Sequence, residues 1–241
     1  DRELDEDIEL IGDNRLVTLT GVGGVGKTRL AIQPAAESVD DYADGVFLVE
    51  LAAIEDPSLV MRMVAESIGV NEQPTRPLLE TMLEHLAARD VLIVLDNCEH
   101  VINDAAKLCD QILRAAPGVR IVATSREGLA IGGERLRQVP SLGVSGDGEV
   151  SDAVQLFIER ARMVRPGFTL DEASKDAVDQ ICNRLDGIPL AIELATARLK
   201  VFSPVQIAER LDDRFRLLTG GSRTALERQR TLQATMDWSY D

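Results

Sequence analysis

Residues 16–30 read LVTLTGVGGVGKTRL, and this stretch decides how the rest of the chain is read. Gly21, Gly26, Lys27 and Thr28 occupy the fixed places of the pattern G-x-x-x-x-G-K-[ST]. An apolar run over 16–20 comes first and a helix-compatible run follows, the strand–loop–helix setting in which this pattern holds a phosphate chain. Gly21, Gly23, Gly24 and Gly26 have no side chains, so the backbone can curl and point successive N–H groups inward. The following helix adds the positive end of its dipole. Lys27 is expected to reach the β- and γ-phosphates, and Thr28 to place its hydroxyl on Mg²⁺. The residues expected to contact nucleotide here are Gly21, Val22, Gly23, Gly24, Val25, Gly26, Lys27, Thr28 and Arg29. A plain glycine-rich turn is the competing reading; the Lys-Thr pair and the strand in front weigh against it.

Further on, residues 91–96 read VLIVLD, five aliphatic residues closed by an acid. This is the Walker B pattern, and in open α/β sheets ligands gather at the carboxyl ends of the strands. Asp96 is therefore placed to hold Mg²⁺ with Thr28, directly or through a water. A strand that ends in Asp at a turn is common, and the weight comes from its following a phosphate loop. Asn97 stands where many such ATPases carry a carboxylate that deprotonates the attacking water. An amide can position water but cannot take its proton. Glu99 is the nearest alternative base, and a helix-start acid is its plainer reading. Slow hydrolysis is the expectation. Residues 119–124 form a further strand, followed by Ser125 and Arg126. A guanidinium there could distinguish ATP from ADP by forked contacts to the γ-phosphate.

The bulk numbers bound the alternatives. The 241 residues suffice for one large domain or two smaller ones. Aromatics are only 3% of the chain, so the core must be aliphatic, which favours helices and buried parallel strands. The net charge of −15 repels nucleic acid and anionic lipid, so this segment is not expected to touch DNA itself. Cys98, Cys109 and Cys182 form no C-x-x-C pair, and His85 and His100 are the only histidines. No metal cluster suggests itself, and reduced thiols in the cytoplasm are the simplest expectation. No apolar run approaches membrane-spanning length and no signal peptide is visible. The opening DRELDEDIEL and the closing WSYD read as parts of a longer chain.

The remaining periodicities fill in the frame. A polar helix is expected over 1–14 and a helix from 27, which Pro34 should kink or end. A strand over 45–51 is apolar enough to be buried on both faces. Helices follow over 56–68, 77–88 and 101–115, and a short strand over 135–139. The glycine-rich 143–148 reads as a flexible linker, and everything after it as helical. Ser151, a capping box over 169–172, the break at Gly187-Ile188-Pro189-Leu190, Ser203, and a second box over 224–227 mark successive helix starts. The expected fold is thus α/β: a P-loop domain over 1–142 with a parallel five-stranded sheet in three layers (α/β/α), a linker over 143–148, a small all-α domain over 149–219, and the start of a further domain over 220–241.

GVGGVGKT, VLIVLDNCEH, IVATSRE, LDGIPLAIELA and RQRTLQATMDWSYD, in this order, resemble the STAND class of signal-transduction ATPases. The NB-ARC branch found in bacterial LuxR-type and SARP-type transcription regulators is the most similar. The resemblance covers nearly the whole chain. It implies that Lys27 and Thr28 contact phosphate and Mg²⁺, that Asp96 is the Walker B acid, and that Arg126 reads the γ-phosphate. It implies that Gly187-Ile188-Pro189-Leu190 is the GxP motif, in which Pro189, with Leu190 beside it, contacts the nucleotide: Pro189 abuts adenine and couples the helical domain to it; a plain helix start is the other reading. The family's upstream adenine-contacting segment would lie before or about Asp1-Arg2. Its winged-helix domain would start over 220–241, with the helix expected around 232–240 as its first, and the nucleotide-contacting histidine that it usually carries would lie further on. Further implied are effector and sensor-repeat domains on the same chain and homo-oligomerisation on activation. Two function classes follow. One is a nucleotide-operated switch with slow hydrolysis. The other is a turnover ATPase or kinase, which should show an arginine-rich substrate insert or, for a DNA motor, a basic face; neither is visible.

Overall fold

The computed structural model of the protein describes residues 2–144 and 150–218. Five strands form one sheet: β1 (Leu16–Thr20), β2 (Val46–Glu50), β3 (Val91–Asp96), β4 (Val119–Ser125) and β5 (Glu134–Gln138). They lie in the order β2-β3-β4-β1-β5, and every pairing is parallel. Parallel neighbours need crossovers, and the chain supplies helices: α1 (Arg2–Asp13), α2 (Lys27–Glu37), α3 (Val60–Ser67), α4 (Leu78–Leu86) and α5 (Ile102–Ala115). Val91, Ile93 and Leu95 of β3 point into the larger core, with Val64, Met82, Leu86 and Ile112 from α3, α4 and α5. Leu92 and Val94 are equally buried on the opposite face, where α1 and α2 pack. That makes the expected three layers. β3 is buried at all six positions, which is why its sequence is a continuous aliphatic run rather than an alternation.

The chain divides into two compact units. One comprises Asp1–Gly21 and Lys27–Val139, and holds the sheet. The other comprises Pro140–Asp241 together with the five residues Val22–Gly26 of the glycine loop. The second unit contains α6 (Asp152–Val164), α7 (Glu172–Arg184), α8 (Pro189–Ala197) and α9 (Pro204–Leu218). Its core gathers Phe157, Val178, Ile181, Leu185, Ile192 and Ile207, with Val22 of the loop packed against it. Phe157 is fully buried, and its ring meets Phe168 at 6.1 Å in a tilted pair.

Several local expectations need correction. The strand over 45–51 is not buried on both faces: β2 is an edge strand, and Leu48 is 42% exposed. An aliphatic run does not by itself tell a central strand from an edge. Pro34 does not end α2, which continues to Glu37. Its carbonyl accepts both the N–H and the hydroxyl of Ser38, at 3.0 and 2.8 Å, which closes the helix there. The helix over 56–68 begins as a single 3₁₀ turn, Pro57–Leu59, capped by Asp56.

The capping box near 170 sits two residues later than its T-x-x-E signature. Asp171 accepts the N–H of Ser174, and the Ser174 hydroxyl meets the N–H of Asp171. Ser203 and Gln206 make the same reciprocal pair at the head of α9. At the expected linker, Gly143 and Val144 make contacts within the helical unit, as does Leu142 just before it, while 145–148 lie outside the described residues. Leu142 donates its N–H to Gly187, Val144 packs on the helical core, and the Gly143 carbonyl accepts from Ala153. The expected capping box over 224–227 and the domain start over 220–241 lie outside the described residues.

Candidate functional site

The carboxyl ends of β1, β3 and β4 are level, because Thr20 pairs with Ser125 and Leu95 with Ala123 in the register. Asp96 closes β3 and is 5% exposed. Its Oδ1 accepts two hydroxyl hydrogens, from Thr28 at 2.8 Å and from Thr124 at 2.6 Å. The P-loop threonine and the strand acid, 68 residues apart, thus share one contact. The Thr124 oxygen also accepts the N–H of Asn97 at 2.9 Å. Asn97 has φ 62 and ψ 54, a left-handed conformation that asparagine tolerates better than most residues. The chain needs that turn to leave a buried strand and enter the short 3₁₀ segment Cys98–His100. Backbone geometry therefore accounts for asparagine at this place.

Lys27 is 7% exposed, and its ammonium donates to the Gly21 carbonyl at 2.9 Å. Burial pushes its pKa below the usual 10.5. The field of Glu99 opposes that shift, Arg126 adds to it, and Asp96 opposes it. The four charged groups that the sequence singled out therefore share one neighbourhood. Glu99 and Arg126 are ion-paired, Nε to Oε1 at 3.4 Å. The arginine side chain is 54% exposed and the glutamate 22%. The second carboxylate oxygen of Glu99, Oε2, is buried and has no hydrogen-bond partner. A buried unpaired carboxylate oxygen is unfavourable unless something donates to it in the working state. Thr28 and Arg29, which follow Lys27 in the first turn of α2, are exposed.

Within the helical unit, the loop residues meet the start of α8. Gly24 has φ +77, and its carbonyl accepts the Leu190 N–H at 3.2 Å. A Cβ on Gly24 would lie 2.9 Å from the Cβ of Leu190. Glycine here thus serves a close approach to Leu190 as well as a left-handed turn. Pro189 is the first residue of α8, where a missing N–H costs the helix nothing. Gly187, just before it, has φ +64, and a Cβ would come within 2.1 Å of the Leu142 carbonyl. Of the other loop residues, Val25 is buried, while Gly21 and Gly26 have φ of 153 and 102.

Thr124 is the residue that sequence reading missed. Its signal was a threonine near the carboxyl end of a strand, level with the acid that closes the neighbouring strand, and it is fully buried. Among the described residues, no group of three or more His, Cys, Asp or Glu could hold a metal ion by itself. The three cysteines are buried and unpaired. No described helix is long and apolar enough to cross a membrane.

A parallel sheet in this order, with a glycine loop and Lys-Thr after β1 and an acid closing β3, is the P-loop nucleotide-hydrolase fold. Comparison with known proteins agrees. Residues 11–129 match the AAA domain family. A protein of Mycobacterium tuberculosis named as an HTH-type transcriptional regulator is 47% identical over 231 residues, which is 96% of this chain and 25% of that protein. The regulatory protein AfsR of Streptomyces griseus is 27% identical over 190 residues, 75% of this chain and 18% of AfsR. The chain thus spans a quarter or less of the length of these relatives. Among solved structures, a STAND protein of Pyrococcus horikoshii with a tetratricopeptide repeat sensor superposes with a TM-score of 0.53. It is 14% identical, and the match covers 87% of this chain and 32% of that one, a likeness of fold.

Proposed function

We propose that this chain is the ATP/ADP-binding switch module of a multidomain bacterial regulator, of the STAND and NB-ARC kind, with slow Mg²⁺-dependent hydrolysis. One observation carries the reading: Lys27, Thr28, Asp96, Glu99 and Arg126 converge at the carboxyl ends of the strands, and one buried carboxylate oxygen among them lacks a donor. The donor set fits a nucleotide with its metal. The ammonium of Lys27 would hold the β- and γ-phosphates, and the loop amides from Gly21 through Thr28 and Arg29 would surround them. Thr28 and Asp96 would hold Mg²⁺, which supplies charge neutralisation at the phosphates. Thr124 keeps the Asp96 carboxylate in one orientation. Arg126 reads the γ-phosphate. Pro189 and Leu190 would contact the nucleotide.

Asn97 cannot accept a proton, so Glu99 is the group that would orient water and take its proton. Slow hydrolysis fits a device that holds a nucleotide and reports which one it is. The switch needs the nucleotide to bind two states differently, by roughly 5 kcal/mol for a shift from mostly closed to mostly open. The module would comprise a nucleotide domain over 1–142, a linker over 143–148, a helical domain over 149–219 and a winged-helix start over 220–241. Its partners would be effector and sensor domains of the same chain and other copies on activation. The relatives named as regulators support this setting. Net charge −15 leaves DNA contact to other domains.

The test is to identify the nucleotide carried by the purified protein and to measure turnover with Mg²⁺-ATP. Tightly held ADP with very slow hydrolysis is the expected result. Turnover of tens per second would instead support the other class, a turnover ATPase or kinase.

A further inference from the structure

The ion pair between Arg126 and Glu99 has a consequence for nucleotide choice. Resting on the nucleotide reading above, we propose that Glu99 sets the preference between ATP and ADP by competing with the γ-phosphate for Arg126. Two geometric observations carry this. Arg126 Nε lies 3.4 Å from Glu99 Oε1. Glu99 Oε2 is buried with no partner, so the carboxylate is held from one side only.

A guanidinium has a forked set of donors, and one contact of 3.4 Å leaves that fork largely unused. A γ-phosphate near Lys27 offers it several oxygens and a larger charge. Arg126 is half exposed, at the end of its strand, so its side chain is free to swing between the two acceptors. ADP, lacking the third phosphate, leaves the pair intact. ATP must break it, and Glu99 then has both oxygens free for water. The same exchange therefore lowers ATP affinity relative to ADP and releases the candidate base only when ATP is present. Lys27, whose charge feels both Glu99 and Arg126, lies within the same field.

A double-mutant cycle separates this exchange from simple repulsion between Glu99 and phosphate. Wild type, Glu99→Gln, Arg126→Ala and the double variant are titrated by calorimetry with ADP and with a non-hydrolysable ATP analogue. Thermal melts check that each is folded. Glu99→Gln should tighten the ATP analogue relative to ADP. That gain should be about threefold to fivefold smaller when Arg126 is already alanine, the range expected for breaking a half-exposed ion pair. A gain of the same size in both backgrounds means plain charge relief and overturns the exchange alone. Failure of the wild-type chain to bind either nucleotide overturns both this inference and the function on which it rests.

Discussion

The hydroxyl of Thr124 donates to Asp96 Oδ1 at 2.6 Å while its oxygen receives the N–H of Asn97 at 2.9 Å. One buried side chain thus fixes the acid that would face Mg²⁺ and the left-handed turn that follows it. Thr124→Val keeps the shape and removes the oxygen. It leaves the Asn97 N–H without its acceptor and Asp96 with Thr28 alone. Destabilisation of about 1–3 kcal/mol in urea unfolding is expected. Mg²⁺-dependent nucleotide affinity should also fall. Thr124→Ser, which retains the hydroxyl, should recover most of both. Equal loss in the serine variant would mean that the methyl group, not the hydrogen bonds, matters.

Lys27 is a buried charge whose removal should act differently on stability and on nucleotide binding. Its ammonium is buried, and burial lowers its pKa in the folded chain below 10.5. As pH rises through that lowered value, the folded state loses its proton before the unfolded state does, so this residue contributes rising stability up to about pH 10.5. Lys27→Met removes the buried charge and keeps the bulk. Nucleotide affinity should drop by about 100-fold or more, on the order of the energy of a charged contact to phosphate. The melting temperature of the nucleotide-free protein should stay level or rise. A sharp fall in melting temperature would show that the bond to Gly21 outweighs the burial penalty.

Two glycines offer a matched contrast. Gly187 has φ +64, and an added Cβ would sit 2.1 Å from the Leu142 carbonyl, a backbone atom that cannot step aside. Gly187→Ala should destabilise the helical unit by about 2–4 kcal/mol, combining left-handed strain with a steric clash. Gly12, in α1, has nothing within 4 Å of its would-be Cβ. Gly12→Ala should instead stabilise by about 0.5–1 kcal/mol through helix propensity and reduced unfolded-state entropy. Denaturant midpoints of the two variants give the comparison directly.

Much of this arrangement was legible from residue types. The P-loop, the Walker B run and the strand before Arg126 announce themselves because a parallel sheet buries both faces and so writes aliphatic runs, each ending in a polar residue. Lys27, Thr28, Asp96, Glu99 and Arg126 could be named from those ends. Their pairing could not, because the contacts of Asp96 with Thr28 and Thr124 span 68 and 28 residues and depend on strand order. Strand order also decides that β2 is an edge, which its composition hides. Gly24 and Gly187 were visible as glycines, yet the reason for each lies in a remote carbonyl or side chain brought close by packing. Pro34 misled because helix interruption depends on what replaces the lost bond, and here Ser38 terminates the helix a turn later.

The cysteines give a last test, through their inertness. Cys98, Cys109 and Cys182 are all buried. Burial pushes the thiols of Cys98 and Cys182 up to about 12, and that of Cys109 further still. The thiolate is the reactive form, so native protein at pH 8 should show no thiol reactive toward a disulfide reagent, and all three should react once unfolded. The linkage has the opposite sign to that of Lys27. A thiol whose folded pKa lies above its ordinary 9.0 stabilises the fold fully below pH 9, and that contribution is lost as pH climbs toward 12. Each such thiol should contribute a slope of about 1.4 kcal/mol per pH unit across that window. Cys98→Ser and Cys182→Ser should each flatten the alkaline limb of a stability–pH curve; an unchanged limb would mean that other groups set the alkaline limit.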